Sequence, residues 1–151
     1  MAVMVSGIML CCVCVFVLVM WSQSKGQGGW RIAVTEVVNH YDSDSLHQHP
    51  TGEINFIYAL TDMFDTNTVY VEKMPLLEEY EPILLKAGET ICFNGNKCKH
   101  HNKINETNKT RVSWDFRILP LNYYNENDEK SSASTNKKYV DGDYYKMMSI
   151  N

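Results

Sequence analysis

The apolar and polar positions of this chain fall into short runs, most of them of strand length. "WRIAVTEVV" (30–38) is rich in β-branched residues and reads as a strand. A polar loop follows over 39–52, with Pro50 and Gly52 as its breakers. "INFIYAL" (54–60) is a continuous apolar run, and "NTVYVEKM" (67–74) is a third strand. "LLEEYEPILL" is ambiguous, although Pro82 argues against a long helix. "ETICFNG" (89–95) and "TRVSWDFRIL" (110–119) complete the set. Short strands separated by turn signals, with no convincing helix among them, predict an all-β sandwich or barrel.

The two ends differ from this middle. The first 21 residues carry no charged side chain, and about 18 apolar residues suffice to cross a bilayer. Three readings stay open. The run is a single-pass membrane anchor, a secretory signal peptide cleaved at Ser22-Gln23-Ser24, or an apolar start with no targeting role that leaves the protein cytoplasmic. No Lys or Arg precedes the run, while Lys25 and Arg31 follow it, which points to an anchor with a cytosolic C-terminal side. The expected organisation is an apolar segment (1–22), a Gly-containing linker (23–29), a β domain (30–121) and a polar tail with an aromatic end (122–151). That end, "YVDGDYYKMM", has the character of a segment that docks back onto the domain.

In the last long strand the polarity alternates strictly. Arg111, Ser113, Asp115 and Arg117 point one way, and Val112, Trp114, Phe116 and Ile118 the other. The plain expectation is a half-buried strand with its polar face in water. The sharper one makes the polar face the lining of a pocket.

Charge narrows the partners. A net charge of -4 over 151 residues, without a basic patch, excludes nucleic acid as an expected partner and leaves a small-molecule substrate, with membrane contact through residues 1–21 if the anchor is real. Cys92 and Cys98 flank a Gly-Asn turn and would form a bridge in an exported domain or stay buried thiols in an intracellular one. Asn105 and Asn108 head N-x-T sequons, which matter only in a secretory lumen.

The loop "NHYDSDSLHQHPTGEINF" (39–56) concentrates candidate metal ligands. His40-Tyr41-Asp42 is an H-x-D element whose side chains converge if the chain is extended. With His100 as a distant third ligand it would form the two-histidine, one-carboxylate face used for dioxygen-activating Fe(II). Arg111 and Ser113, one strand later, would suit the far carboxylate of 2-oxoglutarate. The rival is a cupin-type set, His47, His49 and Glu53 with His101, serving a metal isomerase or dioxygenase. A third reading leaves the histidines solvated and the protein an inactive, membrane-tethered ligand-binding β-sandwich. Spacing alone leaves the two metal sites open.

"GEINFIYALTDMFDTNTVYVE", then the pattern P-x5-GE-x3-FNG-x2-C-x-H, then "TRVSWDFRILP", resembles a little-characterised group within the iron- and 2-oxoglutarate-dependent oxygenases, similar to proteins associated with streptomycin-type biosynthesis. The likeness runs from about His40 to Pro120, and the closing "DGDYYKMM" shares it. It implies a double-stranded β-helix, a jelly roll. It implies Fe(II) held by His40, Asp42 and His100, with His49 a loop residue near the site. It also implies 2-oxoglutarate bound by Arg111 with help from Ser113, and hydroxylation of a small molecule. Asn55 and Tyr58 are candidate pocket residues on the adjacent strand; their odd spacing sends them to opposite faces, and a buried amide needs a partner, so Asn55 is preferred. Oxygenases of this fold carry additional strands and helices ahead of the H-x-D element. Only residues 30–38 stand there in this chain, so the resemblance implies a pared-down or N-terminally truncated barrel.

Overall fold

The computed structural model describes residues 8–11, 39–133 and 135–149, with side chains described from Asn39 to Met148. It contains eight strands and two short 3-10 turns among these residues. The strands are β1 (Ile8–Cys11), β2 (Ile54–Ala59), β3 (Val69–Glu72), β4 (Tyr80–Pro82), β5 (Thr90–Phe93), β6 (His100–Asn102), β7 (Ser113–Pro120) and β8 (Lys146–Ser149). Two sheets result, of order β5-β2-β7-β1-β8 and β4-β3-β6, every pair antiparallel. This two-sheet arrangement is the all-β sandwich expected from short strands separated by turn signals. The expected strand 30–38 lies outside the described residues; of the apolar run 1–22, expected as a helix ahead of the domain, only Ile8–Cys11 is described, and it is a strand. The ambiguous segment around Pro82 is extended, with Tyr80–Pro82 pairing to β3. Strands β6 and β8 have no sequence signal of their own.

A core forms where Ile57 and Ala59 of β2 meet Val69 and Val71 of β3, joined by Met63, Ile83 and Leu85. Alternation along β2 is regular: Asn55, Ile57 and Ala59 turn inward, while Ile54, Phe56 and Tyr58 turn outward. A second cluster gathers Leu119 of β7 with Tyr139, Tyr144 and Tyr145, so the aromatic end packs onto the sheet that carries the long strand.

Strand β7 has the reverse of the plain expectation. Its inward residues are Ser113, Asp115 and Arg117, followed by Leu119, and its apolar face looks outward, with Trp114 43% exposed. The physical reason is pairing. Buried carboxylates of Asp42 and Glu53 meet Arg117 inside, so the polar face is neutralised there and needs no water. Outside, the apolar residues cover one another across strands. Phe116 stacks on Phe56, centroids 5.1 Å apart, and Trp114 lies against Tyr58 at 5.7 Å.

The membrane expectation is corrected. No helix among the described residues is long and apolar enough to cross a membrane. Four residues of the apolar run, Ile8–Cys11, are instead a strand pairing with β7 on one side and β8 on the other. Cys92 and Cys98 are free thiols, and Cys98 packs against the first core cluster. Asn105 is buried, its amide donating to the Lys109 carbonyl and its oxygen accepting from Thr107.

Candidate metal centre

The H-x-D element is positioned by backbone. His40 and His100 form an isolated antiparallel bridge, with N–H···O distances of 3.3 and 3.1 Å. Residues opposite each other in such a bridge send their side chains to the same side, and the two imidazole centroids are 4.5 Å apart. Two residues on, Asp42 returns to that side. The "FNG" loop pins it there: Asp42 N–H donates to Gly95 O at 2.9 Å, and the Ser43 hydroxyl donates to Asn96 O at 2.7 Å. Gly95 must lack a side chain, because a Cβ there would stand 2.6 Å from Asp42 Oδ2 and 2.8 Å from the Asn55 amide.

Three donor atoms therefore converge. Asp42 Oδ1 lies 3.7 Å from His40 Nε2 and 3.4 Å from His100 Nε2, and the three ligand atoms fall within 4.8 Å of one another. An ion bound at about 2.0–2.2 Å requires its donors to lie within roughly twice that of each other, which both measured separations satisfy. Two imidazoles and one carboxylate on one side of an ion leave positions open for exogenous ligands. His40, Asp42 and His100 fit a divalent metal, and they are the triad of this kind among the described residues.

Asp42 is 2% exposed. Burial works to raise its pKa, but the hydrogen bond with His100 and the charge of Arg117 outweigh it and hold the carboxyl well below its ordinary value. The group is a carboxylate ready to bind a cation. Asn55 fixes its far oxygen, donating to Oδ2 at 2.5 Å while accepting from Gly95 N–H at 3.2 Å.

A cavity of about 200 Å3 opens beside the triad. Its polar lining includes His40, Asn55, His100, Arg111, Asp115 and Arg117, and Val69 and Phe93 add apolar wall. Arg111 is 2% exposed; its Nη1 donates to Asn102 Oδ1 at 3.3 Å, and its buried Nε has no hydrogen-bond partner. Burial lowers the Arg111 pKa, opposed by the charge of Asp115. Burial raises the Asp115 pKa, opposed first by Arg111 and then by Arg117. Ser113 lies on the same inward face of β7. It is fully buried, and its hydroxyl donates to Asp115 Oδ1 at 3.3 Å. Asn55 faces inward as expected, and Tyr58 lies on the opposite face.

The rival ligand set is dispersed. His47 Nδ1 is bonded to Asp44 Oδ1 at 2.9 Å, inside a turn capped by the same carboxylate. His49 Nδ1 faces both oxygens of Glu53 at 3.1 and 3.0 Å. His101 stacks on Tyr70 and meets the edge of Tyr80. Glu53 is tied to Arg117 and Tyr145. Of the residues in that reading, only His49 and Glu53 belong to a buried network behind Asp42, while His47 and His101 stand apart from it.

Three site residues lacked a role in the sequence reading. Arg117 and Asp115 belonged to the alternating polar face and could have been found by asking what a buried Arg-Asp pair faces. Gly95 stood in the quoted "FNG" element without a reason.

No family model matches the chain. Over 94 residues it is 38% identical to the streptomycin biosynthesis protein StrG of Streptomyces griseus, an alignment that takes in 62% of this chain and 44% of that protein. The chain therefore spans less than half the length of this curated relative. Among solved structures it is similar to the nickel complex of the non-heme monooxygenase ThoJ, at 19% identity and a TM-score of 0.45, over 66% of this chain and 40% of that one.

Proposed function

We propose that the protein is a metal-dependent oxygenase that binds Fe(II) through His40, Asp42 and His100, takes 2-oxoglutarate as cosubstrate and hydroxylates a small molecule. The observation that carries this reading is the convergence of two imidazole nitrogens and one carboxylate oxygen at the wall of a cavity that also holds a buried arginine. When bound, the ion and cosubstrate supply the oxidation: dioxygen is consumed, the keto acid is decarboxylated to succinate, and a C–H bond of the substrate becomes C–OH.

The protein's part is placement. His40 and His100 present Nε2 from a backbone bridge, and Asp42 presents Oδ1 from a loop held to Gly95 O. Arg111 offers a carboxylate a buried guanidinium whose Nε has no hydrogen-bond partner in the protein, and a charge-assisted hydrogen bond there is strong. Asp115 stands near the same arginine and moderates its field, so an anion is attracted to Arg111 without a large excess of positive charge. The cavity, at about 200 Å3, is smaller than the roughly 300–1,000 Å3 of clefts for drug-sized ligands, which favours small reactants. The likeness to a streptomycin biosynthesis protein supports an enzyme of small-molecule metabolism.

The test uses the full chain with Fe(II), ascorbate and 2-oxoglutarate, following succinate by mass spectrometry and metal content separately. The expected result is succinate formation that needs iron, even without substrate, and that His40→Ala or Asp42→Ala abolishes together with metal binding. Metal bound by the triad without succinate would end the 2-oxoglutarate reading. Metal retained in both variants would end the site itself.

A further inference from the structure

The two oxygens of Asp42 have separate surroundings. Oδ1 faces the imidazoles. Oδ2 receives Asn55 Nδ2 at 2.5 Å and both Nε and Nη2 of Arg117 at 3.3 Å. A carboxylate oxygen has about two lone-pair sites, so Oδ2 is fully engaged. Arg117 is held in turn, with Nε 3.3 Å from Glu53 Oε1. Glu53 is 1% exposed, and its Oε2 accepts the Tyr145 hydroxyl at 2.9 Å while His49 Nδ1 faces both its oxygens. A continuous polar chain therefore runs from the aromatic C-terminal segment to the proposed ligand.

We infer that Arg117 is a positioning residue that keeps Asp42 a one-oxygen ligand, and that Glu53 and Tyr145 act through it, making the C-terminal segment part of the metal centre. This rests on the metal reading above. The physics is competition for a carboxylate. Left to turn freely, a carboxylate can bind a cation through one oxygen or two. A second oxygen would fill a position that cosubstrate or dioxygen needs. By occupying Oδ2, Arg117 and Asn55 restrict the ion to Oδ1. Glu53 matters because an arginine facing Asp42 alone would compete with the ion for that charge. Shared between two carboxylates, Arg117 orients Asp42 and leaves it able to bind.

The inference is tested with Co(II), whose visible absorption reports coordination number, titrated into the full chain and into Arg117→Lys, Glu53→Gln and Tyr145→Phe. Thermal unfolding of each metal-free protein is recorded alongside. Arg117→Lys and Glu53→Gln are expected to lose roughly 10- to 100-fold in affinity, the usual effect of removing a group that orients a ligand, and to change the intensity of the cobalt bands. Tyr145→Phe, which loses only a hydroxyl and keeps its packing, should shift affinity and bands in the same direction by less. It decides the matter if the other two do not fold. A purely structural role would lower the melting temperature and leave both cobalt readouts at their wild-type values, and that result overturns the inference. Wild-type protein that binds no Co(II), or binds it unaltered by His40→Ala, sinks the metal reading and this inference together. Unaltered variants beside a functioning wild type sink the positioning role alone.

Discussion

At the scale of single residues, Gly95 sets how close Asp42 and Asn55 can come to the loop that holds them. Gly95→Ala would put a methyl group 2.6 Å from Asp42 Oδ2 and 2.8 Å from the Asn55 amide. The expected cost is about 1–3 kcal/mol, as for other overpacked interiors, with a parallel loss of metal affinity measurable by titration. Asp115 gives a pH prediction. Burial raises its folded pKa against the opposing charges of Arg111 and Arg117. A carboxyl group with a raised folded value favours the native state while protonated. Its contribution is therefore full below the unfolded value near about 3.9 and is lost as pH rises through the folded value. Urea midpoints of metal-free protein across this window should fall less steeply with rising pH in Asp115→Asn than in the wild type. Residue identity was legible in part. His40 and Asp42 could be paired because they are two apart in extended chain. Arg117 could not be joined to Asp42, 75 residues away, because nothing local links them.

At the scale of elements, β7 shows what alternation can and cannot say. Its period of two was evident in "RVSWDFRIL", but period does not tell which face is inside. That depends on what the neighbouring strands and loops offer, and here they offer buried carboxylates to Arg117 and aromatic partners to the other side. The stacked Phe56 and Phe116 rings lie within 9° of parallel. A double-mutant cycle on this pair is expected to give a coupling of about 0.5–1.5 kcal/mol, and a value of zero would show that the rings only share a surface. Strand β6 was hidden for the converse reason. "HHN" has no β-branched or apolar signature, and its extended form comes from pairing with Val69–Val71 and from the bridge to His40.

At the scale of the whole molecule, the proposed metal centre lies where separate parts of the chain meet: the loop ahead of β2, the start of β6, the inner face of β7 and the tyrosine cluster. Binding there should raise global stability by linkage. With Co(II) at about 100 times its dissociation constant, the unfolding free energy is expected to rise by about 2.7 kcal/mol, read from denaturant titration. His100→Ala should show no such rise. The sandwich class was readable because many short strands with turn signals have few other solutions. The order of the sheets was not, since it depends on pairings distant in sequence. β1 is the clearest case, because an apolar run of that length reads equally as a targeting segment.

That first strand has a practical bearing on how the protein is handled. β8 joins the larger sheet through β1, which pairs with it along Ile8–Cys11 and with β7 on its other edge. Trimming the N-terminus as a presumed leader would strip the sheet of the rung on which its last strand rests and bare the backbone of Ile118–Pro120, an edge open to pairing with other chains. An expression design that keeps those opening residues, with any purification tag placed clear of them, preserves that rung.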